Sequence, residues 1–177
     1  NIRPNLVLVF ADQWRYSALG CLGEEPVLTP HLDRFAAQGA FCTNAVSNCA
    51  VCVPHRASLL TGLYPLSNTV FTNNVRLPPE MPSLGKFLKA EGYRTGYIGK
   101  WHLAGEPANV GFVPPGPARH GFDYWAVHNC SHKYWDAVYY RDEDRPLTLP
   151  GWEPDGQTRL AIDFIRASGT GETSQNA

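Results

Sequence analysis

The segment "MPSLGKFLKAEGYRTGYIGKWHL", residues 81–103, decides the fold class. Its first half carries leucine and phenylalanine at helical spacing and stops at Gly92, a residue type common just after helices. Its second half predicts a strand that breaks near Gly99. A helix that leads directly into a strand is the repeating unit of α/β proteins, in which helices cover a sheet.

The remaining chain continues this alternation. Residues 5–12, "NLVLVFAD", form an unbroken apolar run and predict a buried strand that ends in a carboxylate. "TPHLDRFAAQG" predicts a helix with Thr29 as N-cap, Pro30 at the first helical position and Gly39 after its end. Further predicted elements are strands in 40–46 and 120–127, a helix starting at Pro54 and a helix over 155–168.

Composition narrows the function classes. The 177 residues suffice for one domain with a core, and 44% hydrophobic and 18% charged residues are typical of a globular protein. A net charge of -1 gives no electrostatic basis for binding nucleic acid or a membrane surface. Five cysteines, an odd number, argue against a disulfide scaffold and leave the compartment open. We expect one α/β domain, or part of one, over 1–168 and a polar loop or disordered tail over 169–177.

Three chemically active residues follow predicted strands. Asp12 ends the first, Cys52 follows the second and Lys100 follows the third. Ligands of α/β proteins bind outside the carboxyl ends of the strands. We therefore expect these three residues to line one crevice.

Cys52 admits several interpretations. Cys49 and Cys52 form a C-x-x-C pair, which fits a redox role. A zinc site is a second interpretation, with four donors: Cys42, Cys49, Cys52 and His55. The loop of cysteine-dependent phosphatases needs a longer spacing to Arg56 than this chain has. A buried structural thiol is the plain alternative.

An anion site explains more of the pattern around Cys52. With Pro54 at the first helical position, Cys52 sits at a helix entrance, where unpaired amides favour a negative group. Arg56, one turn further, offers a two-pronged donor to a tetrahedral oxyanion. Asp12 and Gln13 present hard oxygens that suit Ca²⁺ or Mg²⁺.

Several segments together resemble one enzyme family. "CVPHRASLLTG" fits the sulfatase signature C-x-P-x-R followed by L-T-G, and "GKWHL" fits a second sulfatase signature. "NLVLVFADQ", "TPHLDRFAAQG", "GLYP" and "HGFDYW" resemble sulfatase segments in the same order. The chain resembles the N-terminal part of a type I, formylglycine-dependent sulfatase of the alkaline phosphatase superfamily, over residues 4–125. This implies a mixed α/β sheet flanked by helices on both faces.

The resemblance implies a catalytic set. Cys52 is expected to be oxidised to formylglycine by a formylglycine-generating or sulfatase-maturing enzyme. One hydroxyl of its hydrate attacks sulfur to form a covalent sulfo-enzyme, and loss of the second hydroxyl proton releases sulfate. Arg56 is expected to hold the ionised diol and Lys100 to contact the nucleophile and a sulfate oxygen. His102 is expected to be the base for collapse.

The resemblance also implies one divalent cation, expected to be Ca²⁺ with Mg²⁺ as the alternative. Asp12, Gln13 and the oxygen of modified Cys52 are its implied ligands. Two positions depart from the common family pattern. Gln13 stands where many members have a second acid, which removes one negative charge from the metal site. His55 stands where many have serine, which adds a titratable group beside Arg56.

Family members are longer, so we expect this chain to be an N-terminal fragment whose further metal ligands and leaving-group acid lie elsewhere. His128 and His132 have helical spacing but match no family motif, so we expect them to be structural or at the substrate rim.

The substrate and two rival functions remain open in the sequence. The resemblance favours sulfated sugars as substrates. Rival functions are a phosphonate or phosphate monoester hydrolase of the same superfamily and a non-catalytic protein that binds sulfated glycans. Aromatic residues that could stack on sugar rings are Trp14, Trp101, Trp125, Tyr134 and Trp135.

Overall fold

The computed structural model describes residues 4–105 and 111–169 of the chain. Contacts between residues divide the chain into unit 1, Asn1–Val46, and unit 2, Ser47–Ala177. The tail predicted at 169–177 lies outside the described residues, except for Gly169 at the end of the last helix. Among the described helices, none has both the length and the apolar character that a membrane span requires.

Unit 1 contains the helix predicted from "TPHLDRFAAQG". Helix α1, Pro30–Gln38, begins after Thr29 and has its proline at the first position, where the missing amide costs no helical hydrogen bond. The Thr29 hydroxyl accepts a bond from the Gly20 amide (2.8 Å) and donates one to Asp33 (2.7 Å). These bonds tie the start of α1 to a short 3-10 helix, Gly20–Leu22.

Two strands predicted in unit 1 are wrong for this structure. Residues 5–12 and 40–46 form no strand, and Leu8 and Val9 are 57% and 85% exposed. An extended apolar segment becomes a strand only when a neighbouring strand pairs with its amides and carbonyls. No strand among the described residues pairs with either segment.

The helices of unit 2 have clear starts and stops. They are α2, Cys52–Thr61; α3, Pro65–Asn68; and α4, Leu84–Ala90. Helix α2 begins at Cys52, two residues before the predicted start at Pro54. Proline fits the third position as well, because the first four helical amides have no partner inside the helix. The Ser83 hydroxyl caps α4 by accepting a bond from the Lys86 amide (3.4 Å).

The predicted strands of the segment around Lys100 and of "HGFDYWAV" are confirmed. Strand β1, Gly96–Lys100, runs parallel to β2, Tyr124–His128, with Lys100 opposite His128. The Trp101 amide donates to the His128 carbonyl (2.9 Å), which extends the pairing by one residue. The catalytic-type residues near Lys100 therefore follow the carboxyl end of a paired strand.

A hairpin that the sequence did not predict forms a second two-stranded sheet. Strands β3, Trp135–Tyr139, and β4, Leu147–Trp152, are antiparallel, and an antiparallel bridge between Val127 and Tyr140 links them to β2. Helix α5, Glu153–Gly169, follows β4 directly and packs against β4 and β1. The predicted α/β class is confirmed, with parallel and antiparallel pairing in the same unit.

The core of unit 2 lies between α2 and the parallel strands. Its buried members are Val53, Ala57, Leu60, Val70, Leu77, Trp101, Leu103, Val113, Trp125 and Val127. Trp101 meets Trp125 edge to face with ring centres 5.0 Å apart, a favourable aromatic geometry. Because Trp101 is fully buried, packing holds the chain that carries Lys100 and His102. Neither Trp101 nor Trp125 is open to a sugar ring in this structure.

Candidate active site

Cys52 occupies the entrance of α2, as the sequence predicts. It is the first residue of the helix and is half-buried. The neighbouring Val53 amide donates to the Asn73 side-chain oxygen (3.0 Å), so a residue far along the chain caps this helix end. His55 lies with its Nδ1 3.0 Å from the Ser47 hydroxyl. The helix amides and dipole therefore favour negative charge at Cys52.

Arg56 is buried and joined to the second signature segment. Its side chain leaves α2 one turn after Cys52 and is 4% exposed. Nη1 donates to the Tyr97 hydroxyl (3.2 Å) and to the Lys100 carbonyl (2.5 Å). A buried cation is tolerated only when hydrogen bonds replace its hydration. The guanidinium is consequently held where the strand β1 ends.

Lys100 and His102 lie at and just beyond that strand end. Lys100 is the last residue of β1 and its side chain is half-buried. His102 is 7% exposed and has a φ of 57°, a left-handed conformation that is uncommon for residues other than glycine. Such conformations concentrate at functional sites, where the surrounding structure holds them.

The structure brings together part of the predicted set. Cys52 and Arg56 lie one turn apart on the same face of α2. The Arg56 side chain bonds the main-chain carbonyl of Lys100, which lies two residues before His102. All four catalytic-type residues belong to unit 2. Asp12 and Gln13 belong to unit 1, in a turn directly after the apolar run.

The donor chemistry of Asp12 and Gln13 fits a hard divalent cation. They supply a carboxylate and an amide oxygen on consecutive exposed residues, and Gln13 has a φ of 59°. Ca²⁺ takes about six to eight oxygen ligands. Among residues 4–105 and 111–169, no group of three or more His, Cys, Asp or Glu side chains converges. Asp12 and Gln13 alone would therefore supply only part of the coordination sphere of such a cation.

The zinc and redox interpretations of Cys52 gain no support. The four zinc donors considered above do not form a converging group in the described part of the chain. Cys49 and Cys52 are both free thiols rather than a disulfide.

A buried polar cluster beside Lys100 was missed. His128 lies in β2 rather than on a helix, with Nε2 3.2 Å from Glu153, and Glu153 also accepts from the Tyr139 hydroxyl (2.7 Å). Burial pushes the pKa of Glu153 up, but hydrogen bonds from His128 and Tyr139 outweigh it and lower that pKa. Burial raises the pKa of Tyr139. His128 is buried, as expected of a structural residue, and strand pairing rather than helical spacing with His132 sets its contacts.

A second polar region is a cleft of about 390 Å³ near α4. Its lining includes three cations, each already engaged. Lys86 bonds main-chain carbonyls, Lys89 pairs with Asp123 (2.5 Å), and Arg119 pairs with Asp142 (2.5 Å). Carboxylates of the same cleft offset the charges of Lys89 and Arg119, whereas Lys86 bonds neutral carbonyl oxygens.

Comparison with known proteins assigns the family. The family model described as Sulfatase matches residues 4–170, and this chain belongs to the sulfatase family. The Ulvan-active sulfatase of Formosa agariphila is 49% identical over 144 residues, covering 81% of this chain and 28% of that protein. The chain spans about a quarter of the length of the curated relatives it matches.

Solved structures agree with this assignment. The crystal structure of yidJ from Bacteroides fragilis superimposes with a TM-score of 0.87 and 34% identity, covering 96% of this chain and 42% of that chain. A protein solved in complex with its substrate D-glucosamine-2-N,6-O-disulfate has a TM-score of 0.72 and 30% identity, covering 85% of this chain and 28% of that chain. The expected alkaline-phosphatase-like α/β fold is confirmed.

Proposed function

We propose that the full-length protein hydrolyses sulfate monoesters, with residue 52 acting as nucleophile after oxidation to formylglycine. One observation carries the proposal. Arg56 of the C-x-P-x-R segment bonds the main chain of Lys100 in the "GKWHL" segment, which joins the two signature segments at the entrance of α2. Membership of the sulfatase family supports sulfate-ester hydrolysis.

The geometry suits a doubly or singly charged oxyanion. The α2 entrance supplies dipole and amides, and Arg56, buried and one helical turn after residue 52, supplies a fixed positive charge. Charges fixed before the reaction stabilise a transition state without reorganising, so they lower the barrier more than mobile groups do. Lys100, the last residue of β1, would add a second cation.

The proposed reaction has two steps. A hydroxyl of the hydrated residue 52 attacks sulfur, the bond from sulfur to the alcohol oxygen breaks, and the alcohol leaves with a proton. His102 then takes the proton of the second hydroxyl, the aldehyde re-forms, and sulfate departs. Water then adds to the regenerated aldehyde to re-form the hydrate, so each cycle consumes one water. A thiol or a serine hydroxyl has no equivalent second hydroxyl and would stay sulfated.

We propose sulfated sugars as the substrate class. Two similar proteins bear names or titles that refer to sulfated sugars or their polymers: the ulvan-active sulfatase and the protein with bound D-glucosamine-2-N,6-O-disulfate. Among the candidate stacking residues, Trp135, Tyr134 and Trp14 are 65%, 57% and 51% exposed and therefore open to a ring.

We propose that Asp12 and Gln13 supply two oxygen ligands to a divalent cation. Such a cation would neutralise negative charge on the sulfate oxygens. Because Gln13 contributes no charge, Asp12 would be the stronger of the two ligands.

Replacing Asp12 should therefore weaken metal binding strongly. We expect Asp12→Asn in the full-length protein to lower Ca²⁺ affinity by about a hundredfold, because a charged oxygen ligand is lost. Isothermal titration of metal-free protein with Ca²⁺ measures this directly. Glu24→Gln, an exposed acid of the same unit, is the matched control and should bind like the parent. Equal affinity in the Asp12 variant would remove this residue from the metal site.

The proposed function is tested by mass and by turnover. Full-length protein produced with a sulfatase-maturing enzyme should lose about 18 Da at residue 52, because CHO replaces CH₂SH. The same preparation should turn over 4-nitrophenyl sulfate and glucosamine 6-sulfate faster than phenyl phosphonate esters. A preparation that carries the aldehyde but prefers the phosphonate would assign the rival hydrolase activity. Binding of sulfated sugar without turnover would assign the non-catalytic role.

A further inference from the structure

Tyr97 lies between the two signature segments and contacts both. Its hydroxyl accepts a hydrogen bond from Arg56 Nη1 (3.2 Å) and donates one to the Lys100 carbonyl (2.8 Å). Arg56 Nη1 also donates to the same carbonyl (2.5 Å). The three groups therefore form a closed ring of hydrogen bonds at the end of β1.

Aromatic packing fixes the ring of Tyr97 independently of its hydroxyl. It meets Trp101 edge to face with centres 4.9 Å apart, Phe122 at 5.3 Å and Trp125 at 5.8 Å. Trp101 and Trp125 are buried and belong to the core. The hydroxyl is thus presented to Arg56 by a rigid support rather than by a freely rotating side chain.

We propose that Tyr97 is a positioning residue for the sulfate-ester site: its hydroxyl holds the Arg56 guanidinium in one orientation against the end of β1. The inference rests on the proposed function, in which Arg56 stabilises charge on residue 52. A guanidinium directs its donors along fixed lines, so a small rotation misplaces them. Tyr97 acts through Arg56 and need not touch the substrate.

The hydroxyl can be removed without removing its support. Tyr97→Phe keeps the aromatic contacts, and Arg56 keeps the Lys100 carbonyl as acceptor. The fold should therefore survive, while the guanidinium gains freedom to turn. In the proposed function Arg56 stabilises the transition state more than the bound substrate. Tyr97→Phe should therefore lower kcat and leave KM nearly unchanged.

The test uses the full-length protein with 4-nitrophenyl sulfate, and kcat is expressed per mole of residue-52 aldehyde. We expect Tyr97→Phe to lower kcat about tenfold with KM changed less than about twofold. Tyr64→Phe, in which an exposed tyrosine loses the same atom, should match the parent. In an Arg56→Lys background, Tyr97→Phe should change kcat by less than about twofold, because Arg56→Lys alone already disrupts the contact between Tyr97 and the guanidinium.

Several results would overturn the inference. One is a Tyr97→Phe variant with the kcat of the parent. Another is a tenfold loss that persists in the Arg56→Lys background, which would place the effect elsewhere. A loss explained by the unfolded fraction in a thermal melt would assign Tyr97 to stability alone. Failure of the proposed function is recognised separately, because the parent itself would then lack the aldehyde or the turnover, and the inference would fall with it.

Discussion

Cys52→Ala in the full-length protein should lose about a thousandfold or more of its sulfate-ester turnover, since the proposed nucleophile is gone. Alanine suits a helix interior and the position is half-buried, so α2 should form as before. The measurement is kcat/KM for 4-nitrophenyl sulfate, with circular dichroism to verify the fold.

Cys49→Ala is the matched control for this change. Cys49 is the other half-buried thiol of the C-x-x-C pair and carries no role in the proposed reaction. Its replacement should leave turnover within about twofold of the parent. Equal losses in the two variants would instead support a dithiol or zinc role, and undiminished turnover in Cys52→Ala would end the formylglycine proposal.

Arg56→Lys should produce the second large effect, a fall in kcat of about a hundredfold. Lysine keeps the positive charge but replaces the planar fork with a single ammonium group. It cannot serve Tyr97, the Lys100 carbonyl and the oxyanion with the same geometry. Because Arg56 belongs to the C-x-P-x-R signature, intact mass is needed to measure how much of residue 52 carries the aldehyde, and kcat per mole of aldehyde assigns the loss to the reaction.

Arg159→Lys is the control for the arginine exchange, because Arg159 is exposed on α5. We expect it to have the kcat of the parent, since exposed substitutions rarely matter. If Arg56→Lys also kept the parent kcat, charge alone would be sufficient at this position and the bidentate role would be wrong.

Local signals predicted the longer helices of the described chain, but not the one-turn helix α3. Thr29 and Pro30 mark the start of α1, and the apolar spacing before Gly92 marks α4. The start of α2 was placed two residues late because proline fits any of the first few helical positions, not the first alone. Capping chemistry fixes a helix end to within a turn, and tertiary contacts such as Asn73 with Val53 decide the remainder.

Strands were harder because their stability lies in partners distant in sequence. The apolar run at 5–12 has the strongest strand pattern in the chain, yet it is unpaired among the described residues. Strands β3 and β4 pair although β4 contains Pro150 and Gly151, residue types that weaken a strand prediction. Trp135 and Trp152 face each other in that hairpin, a contact that only the register reveals.

The candidate site also combines local features, which the sequence predicts, with contacts between residues distant in sequence, which it does not. The spacing of Cys52, Pro54 and Arg56 is local, so the sequence alone predicted an anion site at a helix entrance. The hydrogen bond from Arg56 to Tyr97 crosses 41 residues. No pattern in the sequence marks Tyr97 as different from the other tyrosines, and its position became evident only from the hydroxyl that it places beside Arg56.

The anchor for Arg56 at position 100 is a carbonyl of the polypeptide backbone, which every amino acid possesses. The side chain at position 100 can therefore change, in a lineage or in a mutant library, without loss of the carbonyl that accepts from Arg56. Lys100→Met deletes the ammonium group but keeps the main-chain carbonyl to which Arg56 donates. Substitutions at this position can alter substrate choice or reaction rate while the hydrogen bond that holds Arg56 stays in place.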